Sequence, residues 1–429
     1  MSVQKKISNV QLRIATWQHT QWLASSSIKR LGKKLDLRST DLHKRDLSGQ
    51  NLSQSSFKEA DLSASKLDGA TLDEVQFSDA NLQEASLTGI SAKRAFFEKA
   101  NLVEAKLINA DVQFSNFDFA QLDRCNFGSA NLRGSSFKNA SLCQVDLHAC
   151  LIDQANLSNA DLREANLSGM DLTSVNLMGA NLEKTNLTGA NLRGANLKNT
   201  NLHGAILTGV NLQGANLEGV ILDEISLVNA NLIGINLKGA RIQKSDFRAA
   251  KLHDANLSGA LISGTDLSYA EFERVNMAES LLEHVTCYRT RFRDAVFTQA
   301  RLNHSNFHSA DLTYCNMGGV RFAFTNLNEA NLEGANLQSC HLWGVSLEQA
   351  NLAQAVLTKS LIERTNLTKA KLVGVILKGV SMPNVVFDHV VLDGMNLEKA
   401  DLRQASLLGT SLRGANLEGA NFQNASLHS

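Results

Sequence analysis

The chain has 429 residues with 42 basic and 42 acidic side chains, so its formal charge is zero. That balance argues against a general affinity for nucleic acid or anionic membrane. Apolar runs of only a few residues leave neither a transmembrane span nor a signal-peptide core, and no nucleic-acid partner is expected.

Residues 1–34 lie outside the pattern that governs the rest. Ile7, Val10, Ile14, Trp17, Ala24, Ile28 and Leu31 recur at a spacing of three to four, with Gln21 the polar exception. This predicts an amphipathic helix, broken near Ser25–Ser27, in preference to the strand that Val10, Leu12 and Ile14 would suggest. Its expected role is a cap, with Trp17 and Trp22 over the first coil, because an open sheet edge invites aggregation. Lys5, Lys6, Arg13, Lys29, Arg30, Lys33 and Lys34 make it basic. We read them as the solvated face of the cap. The alternative is an export or docking signal, or a contact with an anionic surface.

From residue 35 to 429 a single pentapeptide repeats. Gly189 to Lys198 reads GANLRGANLK. A large apolar centre falls at every fifth residue from Leu37 to Leu427, with Ala92 and Cys287 as departures. A period of five fits neither a helix nor a flat strand, but does fit a chain that turns a corner after each short extended piece. A small residue precedes each centre by two, as at Ala60, Ala70 and Ala190. Centre and small residue are expected inside, large against small. Asn, Asp or Ser one before the centre suits a bend. The frequent Gly two after it suits positive φ.

Phe57, Phe77, Phe97, Phe117 and Phe137 are spaced by 20. Stacking of each ring on the next predicts one coil per four pentapeptides. About 20 coils at the strand spacing give a rod roughly 95 Å long. The A-[D/N]-L-x-x run resembles the pentapeptide repeat family. That resemblance implies an all-β solenoid, a right-handed quadrilateral β-helix of four-sided coils, here with a short N-terminal helical cap.

Within the repeat, Phe96 in ISAKRAFF takes a normally polar position, predicting an exposed ring or a small bulge. Residues 155–237 are the most regular and read as spacer. Residues 239–324 are the least regular. One column there runs Ile221, Arg241, Leu261, Leu281, Arg301 and Arg321. Arg among exposed aliphatics is interface composition, though isolated exposed apolar groups are ordinary, and the column supports either reading. Lys251, Glu271, Arg291 and Asp311 alternate in sign and predict a salt ladder. Pro383, the sole proline, must sit clear of a ladder donor position. The pattern runs almost to the end without a C-terminal cap, which suggests a homodimer through the last coil or another cover.

No catalytic constellation emerges, and no cofactor is expected. His284 and His304 should stack beside Glu283 and Asn303, but two or three ligands are few for zinc, so no metal site is assigned. Four of the six cysteines, Cys125, Cys150, Cys315 and Cys340, take the small inward position; with Cys143 and Cys287 they read as buried free thiols of a reducing compartment, the cytoplasm. The expected function is a non-enzymatic scaffold that binds an unknown protein partner through its outer faces. The resemblance also allows an exported bacterial effector and, less readily for a neutral chain, a DNA-mimicking topoisomerase protector.

Overall fold

In a computed structural model the described residues are 4–25, 32–377 and 379–427. The expected helix positions Ile28 and Leu31, and the basic Lys29 and Arg30, lie outside them. The chain forms a parallel β-solenoid with a short N-terminal helix, divided into two compact units, Met1–Ile206 and Leu207–Ser429.

Pairing follows the twenty-residue arithmetic. Asp36 bridges Ser56, Asp41 bridges Asp61, Asp46 bridges Lys66 and Asn51 bridges Thr71, all in parallel. Four interleaved series therefore climb each unit. A typical corner is Phe57 to Ala60. Phe57 lies inside, its N–H donates to Gln76 O at 2.8 Å, and Ala60 N–H closes a turn on Phe57 O at 3.0 Å. The third turn residue, Glu59, has φ 60°, the signature of a type II turn.

That left-handed position is where sequence reading was too narrow. Gly189 holds it with φ 66°, but so do Lys99 at 57° and Phe114 at 59°. A non-glycine residue there costs about 1–2 kcal/mol. The N–H of most such residues offsets this by bonding the neighbouring coil, as Glu59 does to Ser78 O at 3.0 Å.

The position before the centre behaves as expected. Asn81 Oδ1 accepts the Gln83 N–H at 3.3 Å within its own bend and the Asn101 side-chain amide at 3.1 Å from the next coil. Inside, Phe57, Phe77, Phe97, Phe117 and Phe137 stack with centroids 5.2, 5.1, 4.5 and 4.8 Å apart. Phe96 is 41 % exposed, and the five-residue frame passes through it without a bulge. Pro383 sits in a turn, where its carbonyl accepts the Arg364 N–H. Centres in the last coil are less covered: Leu412, Leu417 and Phe422 are half-buried and Leu427 is exposed.

The N-terminal helix required correction. Helix α1 spans Asn9–Ala24 and starts with a capping box between Ser8 and Gln11. Its buried residues are Leu12, Thr16 and His19. The stripe picked out from the sequence faces away: Val10, Ile14 and Trp17 are exposed, so Trp17 does not cover the first coil. The helix docks through an anchor of hydrogen bonds. His19 Nδ1 accepts the Leu35 N–H at 3.2 Å, and its Nε2–H donates to Ser53 O at 3.0 Å. Trp22 stacks on the same imidazole at 5.6 Å. Ahead of α1, strand β1 (Lys5–Lys6) pairs in parallel with β2 (Thr40–Asp41).

A neutral His19 is required by this arrangement, since a proton on Nδ1 would face the Leu35 donor. Burial first, and Lys34 in addition, hold its pKa below the usual 6.5, against the opposing hydrogen bond to Ser53. A depressed imidazole pKa contributes stability that is complete above the ordinary value and is lost as pH falls toward the depressed one. Amide exchange over residues 9–24 should therefore accelerate, after correction for intrinsic rates, as pH drops below 6.5. His19→Gln should abolish that pH dependence.

Candidate protein-interaction face

In unit Leu207–Ser429 one series of corners departs from the type II pattern. Seven strands, β3 (Arg241–Gln243), β4 (Leu261–Ser263), β5 (Leu281–Glu283), β6 (Arg301–Asn303), β7 (Arg321–Ala323), β8 (His341–Trp343) and β9 (Leu361–Glu363), form one parallel sheet in that order. The chain stays extended for three residues, so the usual turn bond is replaced. At these corners an inward Ser or Thr supplies the partner. Val285 N–H donates to Ser305 Oγ at 3.1 Å, and Thr325 Oγ1 donates to Leu302 O at 2.7 Å. Five of the seven corners carry a hydroxyl at the small position, Ser245, Thr265, Ser305, Thr325 and Thr365, and Val285 and Val345 take the other two.

The sheet brings the predicted column together. Ile221 bridges Arg241, and Arg241, Leu261, Leu281, Arg301 and Arg321 pair successively in register. Ile221, Arg241, Leu261, Arg301 and Arg321 are exposed; Leu281 is half-buried. The column read from the sequence ends two rungs short on one side. The column continues through His341 to Leu361. Beside it runs a ladder of rings: His284 on His304 at 5.3 Å, His304 on Phe324 at 5.2 Å, and Phe324 against Trp343 at 4.5 Å. The histidine stack leads into a phenyl ring, which has no lone pair for a metal.

Phe324 and Trp343 were missed because they occupy different places in their pentapeptides, so no single step of 20 links them. One signal was legible. Three of the five exposed aromatics at the left-handed position are followed twenty residues later by Gly, Phe114 by Gly134, Tyr314 by Gly334 and Phe324 by Gly344, whereas Phe119 and Tyr269 are followed by Asn139 and Arg289. A Cβ on Gly344 would come within 2.8 Å of the Phe324 ring, so the ring lies flat over the glycine.

Charge is uneven on this face. Arg241 pairs with Asp223, and His341 Nε2 lies 3.1 Å from Glu363. Arg301 and Arg321 have no carboxylate partner among the described residues. On the next face, Lys251, Glu271, Arg291 and Asp311 are in register, but the salt ladder reduces to one rung, Arg291 to Glu271 at 3.6 Å. Glu271 turns its other oxygen to His253 at 2.8 Å.

The cysteines offer little nucleophilic chemistry. All six are free, and all but the half-buried Cys143 are buried. Burial is the main reason the thiols of Cys125, Cys143 and Cys287 lie above the usual range, which disfavours the reactive thiolate. Among the described residues no helix is long and apolar enough to cross a membrane.

The family model "Pentapeptide repeats (8 copies)" matches residues 36–73, 76–117, 113–148, 155–194, 185–223, 290–322, 305–344, 315–354, 344–379 and 396–429. Among solved structures, HetL, a pentapeptide repeat protein involved in heterocyst differentiation regulation in the cyanobacterium Nostoc sp. strain PCC 7120, is similar at 28 % identity. The match covers 57 % of this chain and 89 % of HetL, with a TM-score of 0.23. A trypsin-treated variant of QnrB1, a plasmid-mediated fluoroquinolone resistance protein, matches at 18 % identity over 49 % of this chain and 90 % of its own, with a TM-score of 0.27. A pentapeptide repeat protein of the Arabidopsis thaliana thylakoid lumen matches at 22 % over 32 % and 69 %, with a TM-score of 0.17. No curated protein matches.

Proposed function

Because the chain belongs to the pentapeptide repeat family, we propose that it is a non-enzymatic scaffold that binds a protein partner through an outer face. We take the coils to be four-sided and right-handed, about 20 in all, as the repeat arithmetic and the resemblance imply, and α1 with its flanking residues to cap the first of them. The six free thiols support residence in a reducing compartment, the cytoplasm.

One observation carries the binding reading. The seven-stranded sheet presents Leu261, Arg301, Arg321, Phe324 and Trp343 on one face. Arg and aromatic residues beside aliphatics are enriched where proteins dock. Single exposed apolar side chains mean nothing, but here Phe324 and Trp343 are in ring contact beside the column that holds Leu261.

The test is affinity capture from the source cells with Leu261→Asp/Leu281→Asp against the parent chain. Partners retained by the parent should fall at least tenfold with the double variant, while circular dichroism and thermal melting stay as they were. Undiminished capture by a folded variant removes this face from consideration.

A further inference from the structure

The centre of the sheet face holds a concentration of positive charge that the fold does not neutralise. Arg301 and Arg321 are direct partners on neighbouring strands, with His341, which meets Glu363, on the strand after them. Like charges opposite each other in register destabilise a sheet. On this face the positions that follow the column in these three coils are Asn303, Ala323, Trp343, His304, Phe324 and Gly344, none of them acidic. Elsewhere the chain does pair such charges: Arg38 with Asp36, Arg163 with Asp161, Arg248 with Asp246 and Arg403 with Asp401 share one spacing, Asp-x-Arg. Arg94, Arg193, Arg364 and Arg413 also lack an ion pair among the described residues; what sets Arg301 and Arg321 apart is that they stand opposite each other in register.

The charge is also bounded. Glu283 lies at one edge of the patch and Glu363 at the other. On the same rungs as these glutamates the column is apolar, Leu281 on one side, with Leu261 one rung further, and Leu361 on the other. A polyanion tracking the face would run over both glutamates. A ligand with a short acidic centre and apolar flanks would not.

We propose that this face takes an acidic amphipathic helix of a partner protein, its central carboxylates on Arg301 and Arg321 and its apolar ends on Leu261, Leu281 and Leu361. The spacing favours a helix over an extended strand. Rungs of a sheet are about 4.8 Å apart. Helix residues three or four apart place their Cβ atoms about 5–6 Å apart, whereas alternate residues of a strand are roughly 6.6 Å apart. The six rungs from Leu261 to Leu361, five spacings, span about 24 Å, the length of a helix of about 16 residues. Phe324 and Trp343 line the edge of the track and exclude water from the ion pairs. The inference rests on the scaffold reading above and adds the chemistry of the partner.

The probe is a labelled synthetic helical peptide with two Glu at the centre of one face and Leu at its ends, measured by fluorescence anisotropy on the full chain. It should bind, weaken with added salt, and lose at least tenfold in affinity to Arg301→Glu/Arg321→Glu. A Lys-centred peptide should regain affinity for that charge-reversed variant. Since the parent carries the unrelieved repulsion, Arg321→Glu alone should not lower the melting temperature. Three results overturn the proposal. The acidic peptide fails to bind, or binds the charge-reversed variant equally. Polyuridylate competes at equal phosphate to carboxylate concentration. Or a Gln-centred peptide binds as tightly as the acidic one while remaining sensitive to Leu261→Asp/Leu281→Asp, in which case the scaffold reading stands and the acidic partner does not.

Discussion

Phe97→Ala is expected to destabilise the unit Met1–Ile206 by about 3–5 kcal/mol. Phe97 is fully buried at the middle of the ring stack, 5.1 Å from Phe77 and 4.5 Å from Phe117. Truncation removes its apolar area from the interior and leaves a void that rings on either side cannot fill, since each is held by its own coil. The backbone of that coil is fixed by bonds to both neighbours, Phe97 N–H to Asn116 O at 2.7 Å among them, so collapse around the void is limited. Phe97→Leu puts in the residue that most other centres carry, and should cost less than about 1.5 kcal/mol. Urea unfolding of both variants checks the ordering. Equal losses would mean that aliphatic volume cannot replace the ring and that ring stacking itself carries the energy.

The second large effect is expected from a single buried hydroxyl. Ser115 Oγ accepts the Ala95 N–H at 2.9 Å and donates to Ala92 O at 2.7 Å. Ala92 is the one small centre, and Ala95 N–H has no turn bond of its own among the described residues. Ser115→Ala strands a buried donor and a buried acceptor together, which costs about 1–3 kcal/mol for each group left unsatisfied. Ser135 holds the same place one coil on, accepting the Ser115 N–H and donating to Val112 O, there alongside the turn bond from Ser115 N–H to Val112 O at 3.2 Å. Ser115→Ala and Ser135→Ala should therefore couple in a double-mutant cycle, because they share the Ser115 residue's backbone. Urea midpoints that do not move would contradict the assignment of this hydroxyl as the replacement for a turn bond.

Much of the fold was legible because a period of five leaves few alternatives. Phenylalanines at steps of 20 announced the coil length, and the parallel register at that step follows it. What failed was the N-terminal helix face. Val10, Ile14 and Trp17 are apolar at helical spacing, and the usual inference is that such a stripe is buried. Here the docking energy is directional. One imidazole uses both nitrogens on the first coils, and it turns Leu12 and Thr16 inward with it. Periodicity reads solvent transfer and is blind to where a hydrogen-bonding anchor points. Cys143 was also misplaced as fully buried: it sits after a centre, on the outer side of the turn.

The candidate face was legible only in part. The column from Ile221 to Arg321 came from stepping through one pentapeptide position. His341 was lost because regularity returns after Phe324 and the search ended there. The ring ladder crosses from the fourth position of one coil to the third of the next, and only coordinates join them. That Arg301 and Arg321 lack a carboxylate is likewise a three-dimensional fact, since acidic residues are plentiful nearby in sequence.

Every surface column depends on the twenty-residue register, and spin labelling measures that directly. In a Cys143→Ser background, nitroxides at Asn303→Cys and Ala323→Cys should sit on adjacent rungs and show strong dipolar broadening. Labels at Asn303→Cys and Thr313→Cys, half a coil apart, should show far less. Weak broadening for the first pair, or stronger broadening for the second, would contradict the register and with it the face assembled from Arg301, Arg321, Phe324 and Trp343.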